Sequence, residues 1–390
     1  MGKAFSTAAL KALMPKLARK SDQLIDIIKN IPPKQPVEFQ RLMVRFVFDV
    51  VGVGGYGIDF KSLENEQHPC LEAIQYCMHD ALASTMNPFR RLVKWAFPMC
   101  KLARECNSMY SQMYSFYDMI ANEIRERGEP AEDDLSMSAC LMRIKDPNVG
   151  GPLNDALLSS EVGGFMIAAT DTTSHSIAWA LFAIASHPKV QQKIVDELKT
   201  SGLLHRIKEG ATDRVSYSEI MGLEWLGMAM KEVIRMFPVV PIGSMRITAA
   251  DGMNVYGYRV PKGTVVSVNV HCLNYSPLLW DDPGTFNPER WRKMAPTEQA
   301  GTEFAPQPST KGNPRILWAF SDGPRNCLGQ RMAMMEMHLV VAVLLAHFEL
   351  RLAERMGGWE EALSRQYLAG VLCIDGGMWL DCIPRQTTEK

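Results

Sequence analysis

Between Phe320 and Gly329 the chain reads FSDGPRNCLG, and the apolar run QRMAMMEMHLVVAVLLAHF follows without a gap. A lone thiol at the mouth of a helix, on a loop stiffened by proline and loosened by glycine, restricts the fold more than any other stretch. The ordinary reading of Cys327 is a buried core thiol, the fate of most cysteines. Its neighbours support a second reading. Gly323 and Gly329 remove side chains on either side, so backbone can come close to something flat. A helix opening at Leu328 turns unpaired amides and the positive end of its dipole toward the sulfur, which favours the thiolate. Arg325 adds a cation two residues earlier. A thiolate held in this way is a metal-ligand arrangement, yet no second Cys or His is near enough in sequence for zinc. Heme iron takes four ligands from its own ring and needs only one from the protein.

The rest of the composition narrows the choice. At 390 residues and 47% hydrophobic, the chain can bury a sizeable core. Its 42 Lys and Arg balance 43 Asp and Glu, and a net charge of -1 argues against a nucleic-acid partner. The nine cysteines form no C-x-x-C pair, and the eight histidines supply neither H-E-x-x-H nor a zinc-finger spacing. An odd count of scattered cysteines, with no secretory leader in view, predicts reduced thiols on the cytosolic side. The longest apolar stretch, GGFMIAATDTTSHSIAWALFAIA, is interrupted by Asp171 and His175 and reads as a buried core helix. The opening MGKAFS formally fits an N-myristoylation pattern, but the residues after it read as fold interior.

Apolar periodicity predicts helices over STAALKALMPKLARKSDQLIDIIKN, VEFQRLMVRFVFDVV, Leu102–Arg127 and Asn154–Ser186, the last closed by His187-Pro188. Runs rich in β-branched residues on either side of Pro261-Lys262-Gly263 predict a hairpin there, and YLAGVLCIDGGMWLDCIP predicts short strands. The expected architecture is therefore one domain over residues 1–390, mainly α with a minor β part. GVGGYG, Gly52–Gly57, satisfies the dinucleotide pattern G-x-G-x-x-G. IDFKSLENEQHP after it is a poor helix start and no alternation of strands and helices surrounds it, so a glycine-rich helix end and turn is expected instead.

Phe320, Gly323, Arg325, Cys327 and Gly329 together match F-x-x-G-x-R-x-C-x-G, the signature that binds heme in cytochrome P450 enzymes. The chain resembles that family from AFS near its start to IPR at Arg385. The resemblance implies heme b with Cys327 as axial thiolate, Phe320 packed beside the sulfur, and Arg325 and Arg246 on the two propionates. KEVIRMFP and FNPERW are similar to the family's E-x-x-R and P-E-R elements. Read alone, Glu232 and Arg235 are an i,i+3 surface pair; the resemblance implies a structural network of Glu232, Arg235 and Arg290. AATDTTSH resembles the oxygen-activation motif, which makes Asp171 and Thr172 the acid–alcohol pair that delivers protons. Ala168, Ala169 and Thr172 share a helix face, with Ala169 where glycine is usual. A hydroxyl bonded back to its own helix is the plainer reading of Thr172. Phe165, Ala168, Ala169, Val240, Ile242 and Val371 are expected to face the substrate.

The family's membrane anchor, early strands and W-x-x-x-R segment have no counterpart here, since Trp95 is followed four residues later by Met99. The chain therefore reads as an amino-terminally incomplete member, whose parent would sit on the cytosolic face of the endoplasmic reticulum membrane. Weak heme binding by the chain alone is expected. The implied function is insertion of one atom of dioxygen into a lipophilic small molecule, with electrons from an NADPH-fed reductase docking on a face that includes Lys311, Arg315 and Arg331. Rival readings are a heme-thiolate isomerase or dehydratase, which commonly lacks the acid–alcohol pair, and a non-catalytic isoform. A nicotinamide dehydrogenase built on GVGGYG is a more distant rival.

Overall fold

A computed structural model of the chain describes residues 2–146, 149–249, 252–255, 257–292 and 317–386. Lys311, Arg315 and the loop Ala295–Pro314 lie outside the described residues. Helices come first: α1 (Thr7–Lys29), α2 (Phe39–Val51), α3 (Pro69–Met86), α4 (Pro88–Ala96), α5 (Lys101–Glu126) and α6 (Met137–Met142). Then follow α7 (Asp155–Ser186), α8 (Pro188–Thr200), α9 (Leu203–Lys208), α10 (Tyr217–Met221) and α11 (Glu224–Met236). The remaining described helices are α12 (Val270–Asn274), α13 (Gln330–His347) and α14 (Trp359–Ser364).

Helix α7 is the axle of the fold and packs against α2, α5, α11 and α13. Every residue from Ile177 to Ala185 is buried, so this half is apolar on all sides, as a helix enclosed by others must be. Trp179 pins it in two directions. Its ring stacks on Phe237 at 4.3 Å, and its Nε1 donates to the Leu372 carbonyl at 2.9 Å. Local chemistry sets the ends: the Asn154 side chain caps α7 by accepting from the Leu157 amide, and Pro188 starts α8 right after His187.

The strands are short and antiparallel. β1 (Val37–Glu38), β9 (Trp379–Pro384) and β6 (Phe348–Leu352) form a sheet in that order. Two-stranded ribbons pair β2 (Met245–Ile247) with β5 (Val265–Ser267), β3 (Met253–Val255) with β4 (Tyr258–Val260), and β7 (Gln366–Leu368) with β8 (Leu372–Ile374). The hairpin predicted around Pro261-Lys262-Gly263 is corrected. β4 turns back onto β3, with Val255 opposite Tyr258 and Gly257 at φ 89°, whereas β5 pairs with β2. Thr248 holds the second arrangement, donating its amide to the Thr264 carbonyl and receiving the Gly263 amide.

Gly52–Tyr56 is a π-helical turn that extends α2 and ends at Gly57 with φ 72°. A Cβ on Gly52 would meet the Ile58 carbonyl at 2.5 Å and the Phe60 ring at 2.7 Å. The chain's own packing accounts for this glycine without any nucleotide.

Candidate functional site

The cysteine loop is folded back on itself before α13 begins. The Cys327 amide donates to the Phe320 carbonyl at 2.8 Å, and the Asn326 amide to the Gly323 carbonyl at 3.0 Å. Gly323 has φ 74°, a conformation in which a side chain is strained, and Ser321 at φ 60° takes such a strain. Helix α13 starts at Gln330 with Gly329 as its cap, two residues later than the sequence suggests.

The Cys327 sulfur receives hydrogen bonds from the Gly329 and Gln330 amides, the free donors of that helix end. Burial outweighs them and raises the thiol above its ordinary value. This corrects the expectation that the loop by itself favours thiolate. The residue borders open space, but enough protein surrounds its sulfur to make a bare negative charge costly there. A cation bonded to the sulfur would supply the missing stabilisation.

Cys327 opens onto a cavity of about 350 Å³, within the roughly 300–1,000 Å³ usual for small-molecule sites. Phe320, Arg325, Cys327 and Gly329 line it from the loop, and Phe165, Ala168, Ala169 and Thr172 line it from α7. Val240 reaches it as well. The structure thus brings together two motifs about 150 residues apart in the sequence. Three expected contacts are corrected: Ile242 is 48% exposed, Val371 is buried, and Arg246 lies on β2 with its Nη1 turned to the Met245 carbonyl, all three outside the cavity lining.

The residues present fit a heme. Gly329 shows this best: a Cβ there would meet only the Phe5 ring, at an ordinary 3.7 Å. The chain's own packing leaves glycine optional at 329, so the open face suits close approach of a flat group. Among the described residues no three His, Cys, Asp or Glu side chains gather to hold a bare metal ion. One sulfur with two amide donors is a suitable axial ligand for an iron that brings four ring nitrogens. Glu336 on α13 also lines the cavity, buried, with Oε1 unpartnered among the described residues and its carboxyl pKa pushed up to about 8 by desolvation.

On α7 the Thr172 hydroxyl donates to the Ala168 carbonyl at 2.7 Å, the back-bonded arrangement, while the residue lines the cavity. Asp171 stands outside the lining. Desolvation raises its carboxyl above the usual range, with His175 pulling the other way; His175 Nδ1 lies 3.6 Å from Asp171 Oδ1.

On α11, Glu232 and Arg235 are fully buried and joined by two hydrogen bonds of 3.0 and 2.9 Å. Arg290 Nε donates to Glu232 Oε1 at 2.9 Å, and the Trp291 indole to Oε2 at 2.9 Å. Arg235 Nη1 reaches the Asn274 and Pro283 carbonyls at 2.8 and 2.9 Å. Every charged atom of the pair therefore has a partner, which a buried ion pair requires. Sequence reasoning missed Trp291, Glu336 and Phe5. The first adjoins P-E-R, the second is the lone acid within an apolar run, and the third is a buried ring just ahead of the Ser6 helix cap.

Mainly helical packing around one long axle, with an amide-bonded cysteine opening onto a cavity at a helix start, defines the class of heme-thiolate folds. The comparisons specify the family. The model for the cytochrome P450 family matches residues 1–364, and the chain belongs to that family. It is similar to cytochrome P450 3A13 of Mus musculus, at 26% identity over 89% of this chain and 66% of the relative. Lithocholate 6-beta-hydroxylase of Mesocricetus auratus is 25% identical over 90% of this chain and 67% of that protein. Cytochrome P450 monooxygenase FUM2 of Gibberella moniliformis is 29% identical over 91% and 71%. The chain thus spans about two thirds of the length of these relatives, 66% to 71%. The crystal structure of the cytochrome P450DA heme domain shares the fold with a TM-score of 0.77, covering 98% of this chain and 75% of that one at 21% identity.

Proposed function

We propose that this chain forms the catalytic part of a heme-dependent monooxygenase that inserts one atom of dioxygen into a lipophilic small molecule, with electrons from an NADPH-fed reductase. The observation that carries the reading is the shared cavity, which has Cys327 on its loop side and Thr172 on its helix side. Cys327 would hold the iron, and Arg325, which lines the cavity, would pair with a propionate. When bound, heme supplies dioxygen activation and oxygen-atom transfer.

The chain's own groups set the conditions for that chemistry. Apolar residues dominate the lining and favour a substrate of low polarity, with Phe165 and Val240 among the contacts. The Thr172 proton is engaged by Ala168, which leaves the hydroxyl oxygen free to accept from a water in the cavity. Asp171 keeps its proton to higher pH than an exposed carboxyl and can pass it toward the same water. Glu232, Arg235 and Arg290 form a structural network and take no part in the chemistry. Arg331, exposed at the start of α13, belongs to the proposed reductase-facing side. The parent protein would lie on the endoplasmic reticulum membrane; no described helix here is long and apolar enough to cross one.

Heme retention by this chain alone is weak in this account, because Arg325, Asn326, Cys327 and Leu328 are all exposed around the site. The test is dioxygen-dependent product formation with purified reductase, NADPH, excess hemin and a panel of apolar substrates. Oxygenated product that disappears in Cys327→Ser is expected. Rearrangement of a peroxide without dioxygen or NADPH would overturn the reading in favour of an isomerase.

A further inference from the structure

Asp171 stands outside the cavity lining, and on its own helix face one titratable side chain meets it. His175, one turn further along α7, is 6% exposed. Its Nδ1 lies 2.8 Å from the Asp171 carbonyl oxygen, 3.6 Å from Asp171 Oδ1 and 3.3 Å from Ser174 Oγ. The Ser174 hydroxyl donates to the same carbonyl at 3.1 Å. A carbonyl oxygen only accepts, so Nδ1 carries a hydrogen whether the imidazole is neutral or charged. The proton that comes and goes is therefore the one on Nε2. One carboxyl is thus offered a fixed N–H and, from the same ring, a charge that switches.

The surroundings of Asp171 leave this imidazole in control. The Asp171 side chain is 21% exposed, and among the described residues no Lys or Arg pairs with it. Cys373, on β8, feels the Asp171 charge, yet burial first and that charge second push its thiol up to about 12, so it stays neutral. Its own hydrogen is turned to the Val371 carbonyl at 3.5 Å. Desolvation raises the Asp171 carboxyl, and His175 is the group that pulls it down. A buried imidazolium is in turn costly unless a carboxylate stands beside it. The two groups therefore titrate together. One proton rests either on the carboxyl, with the ring neutral, or on Nε2, with the carboxylate free. We propose that His175 is a positioning residue for Asp171, holding the carboxyl beside a fixed N–H and setting by its charge when that carboxyl takes up and releases its proton. The inference rests on the proton-delivering role proposed for Asp171, whereas the contact itself does not depend on heme.

Magnetic resonance of the heme-free chain tests it, with carboxyl-labelled aspartate and nitrogen-labelled histidine followed through the acid and neutral pH range. The two signals are identified by their loss in Asp171→Asn and His175→Gln. Neutral His175 should carry its hydrogen on Nδ1. In His175→Gln, which keeps a donor for the Asp171 carbonyl but has no charge, the Asp171 carboxyl should titrate at higher pH than in the parent chain. His175→Lys, with a lasting positive charge, should move it to lower pH. Opposite shifts of this kind are not given by a purely structural role. Circular dichroism and urea unfolding show which variants fold, and His175→Gln decides alone if His175→Lys does not. With hemin, reductase and NADPH, the pH range over which product forms per dioxygen consumed should move upward in His175→Gln, together with the carboxyl. An Nε2–H tautomer in neutral His175, an Asp171 titration that His175→Gln leaves in place, or a product profile that stays put while the carboxyl moves would each overturn the proposal. Absence of product in the parent chain would count against the heme reading, and the magnetic resonance would still decide the contact.

Discussion

Two charged regions within the same fold differ in whether the chain completes them. Around Glu232 both carboxylate oxygens and both arginines are satisfied by side chains and carbonyls of this chain, and Glu232 and Arg235 are sealed from solvent. Around Cys327 the amides are in place, yet burial raises the thiol above its ordinary value, Gly329 faces space it does not need, and Glu336 Oε1 has no partner among the described residues. The first region is scaffold, finished by folding. The second is a socket whose chemistry requires an occupant.

Breaking the scaffold should give the largest effect. Glu232→Ala or Arg235→Ala leaves a buried charge unpaired and is expected to cost about 3–5 kcal/mol, read as a lowered midpoint in thermal or urea unfolding. A loss below about 1 kcal/mol would put the pair among ordinary surface contacts.

Glu336 gives the next effect, and its sign is fixed. Its carboxyl titrates at about 8 in the folded chain against an ordinary 4.5. As pH rises through that window the unfolded chain releases this proton first, so stability falls between about pH 4.5 and 8 and levels off above. At about 1.4 kcal/mol per unit, Glu336→Gln should stabilise the heme-free chain by up to several kcal/mol at pH 8 and hardly at all at pH 4. Urea unfolding at the two pH values checks this.

The two loop glycines sharpen the contrast. Gly323→Ala forces a side chain into φ 74° and should cost on the order of 1 kcal/mol. Gly329→Ala meets only Phe5 at 3.7 Å, so its stability should stay within about 0.5 kcal/mol while hemin affinity falls. Equal stability losses at both positions would mean that the chain's own packing demands each glycine. Thr172→Ala should leave the melt nearly unchanged and lower product formed per dioxygen consumed, by up to about 100-fold.

The sequence shows this contrast unevenly. The long helices and the cysteine loop are legible because periodicity, Asn154, Pro188 and the glycines act locally. Strand pairing is not, since β5 joins β2 through Thr248 across intervening residues, and a local turn signal at Pro261 misassigns it. The roles of Trp291 and Phe5 depend on what folds against them. The thiol's protonation is a balance of amides against burial, and only the amides can be read from the motif.

The central claim is that the Cys327 sulfur binds heme iron, and the most direct measurement is the absorbance of the ferrous–carbon monoxide complex of this chain in excess hemin. A strongly red-shifted Soret band that disappears in Cys327→His, with the fold intact by circular dichroism, is the predicted result. An unshifted band in the parent chain, or a red-shifted one that survives the substitution, would contradict the account.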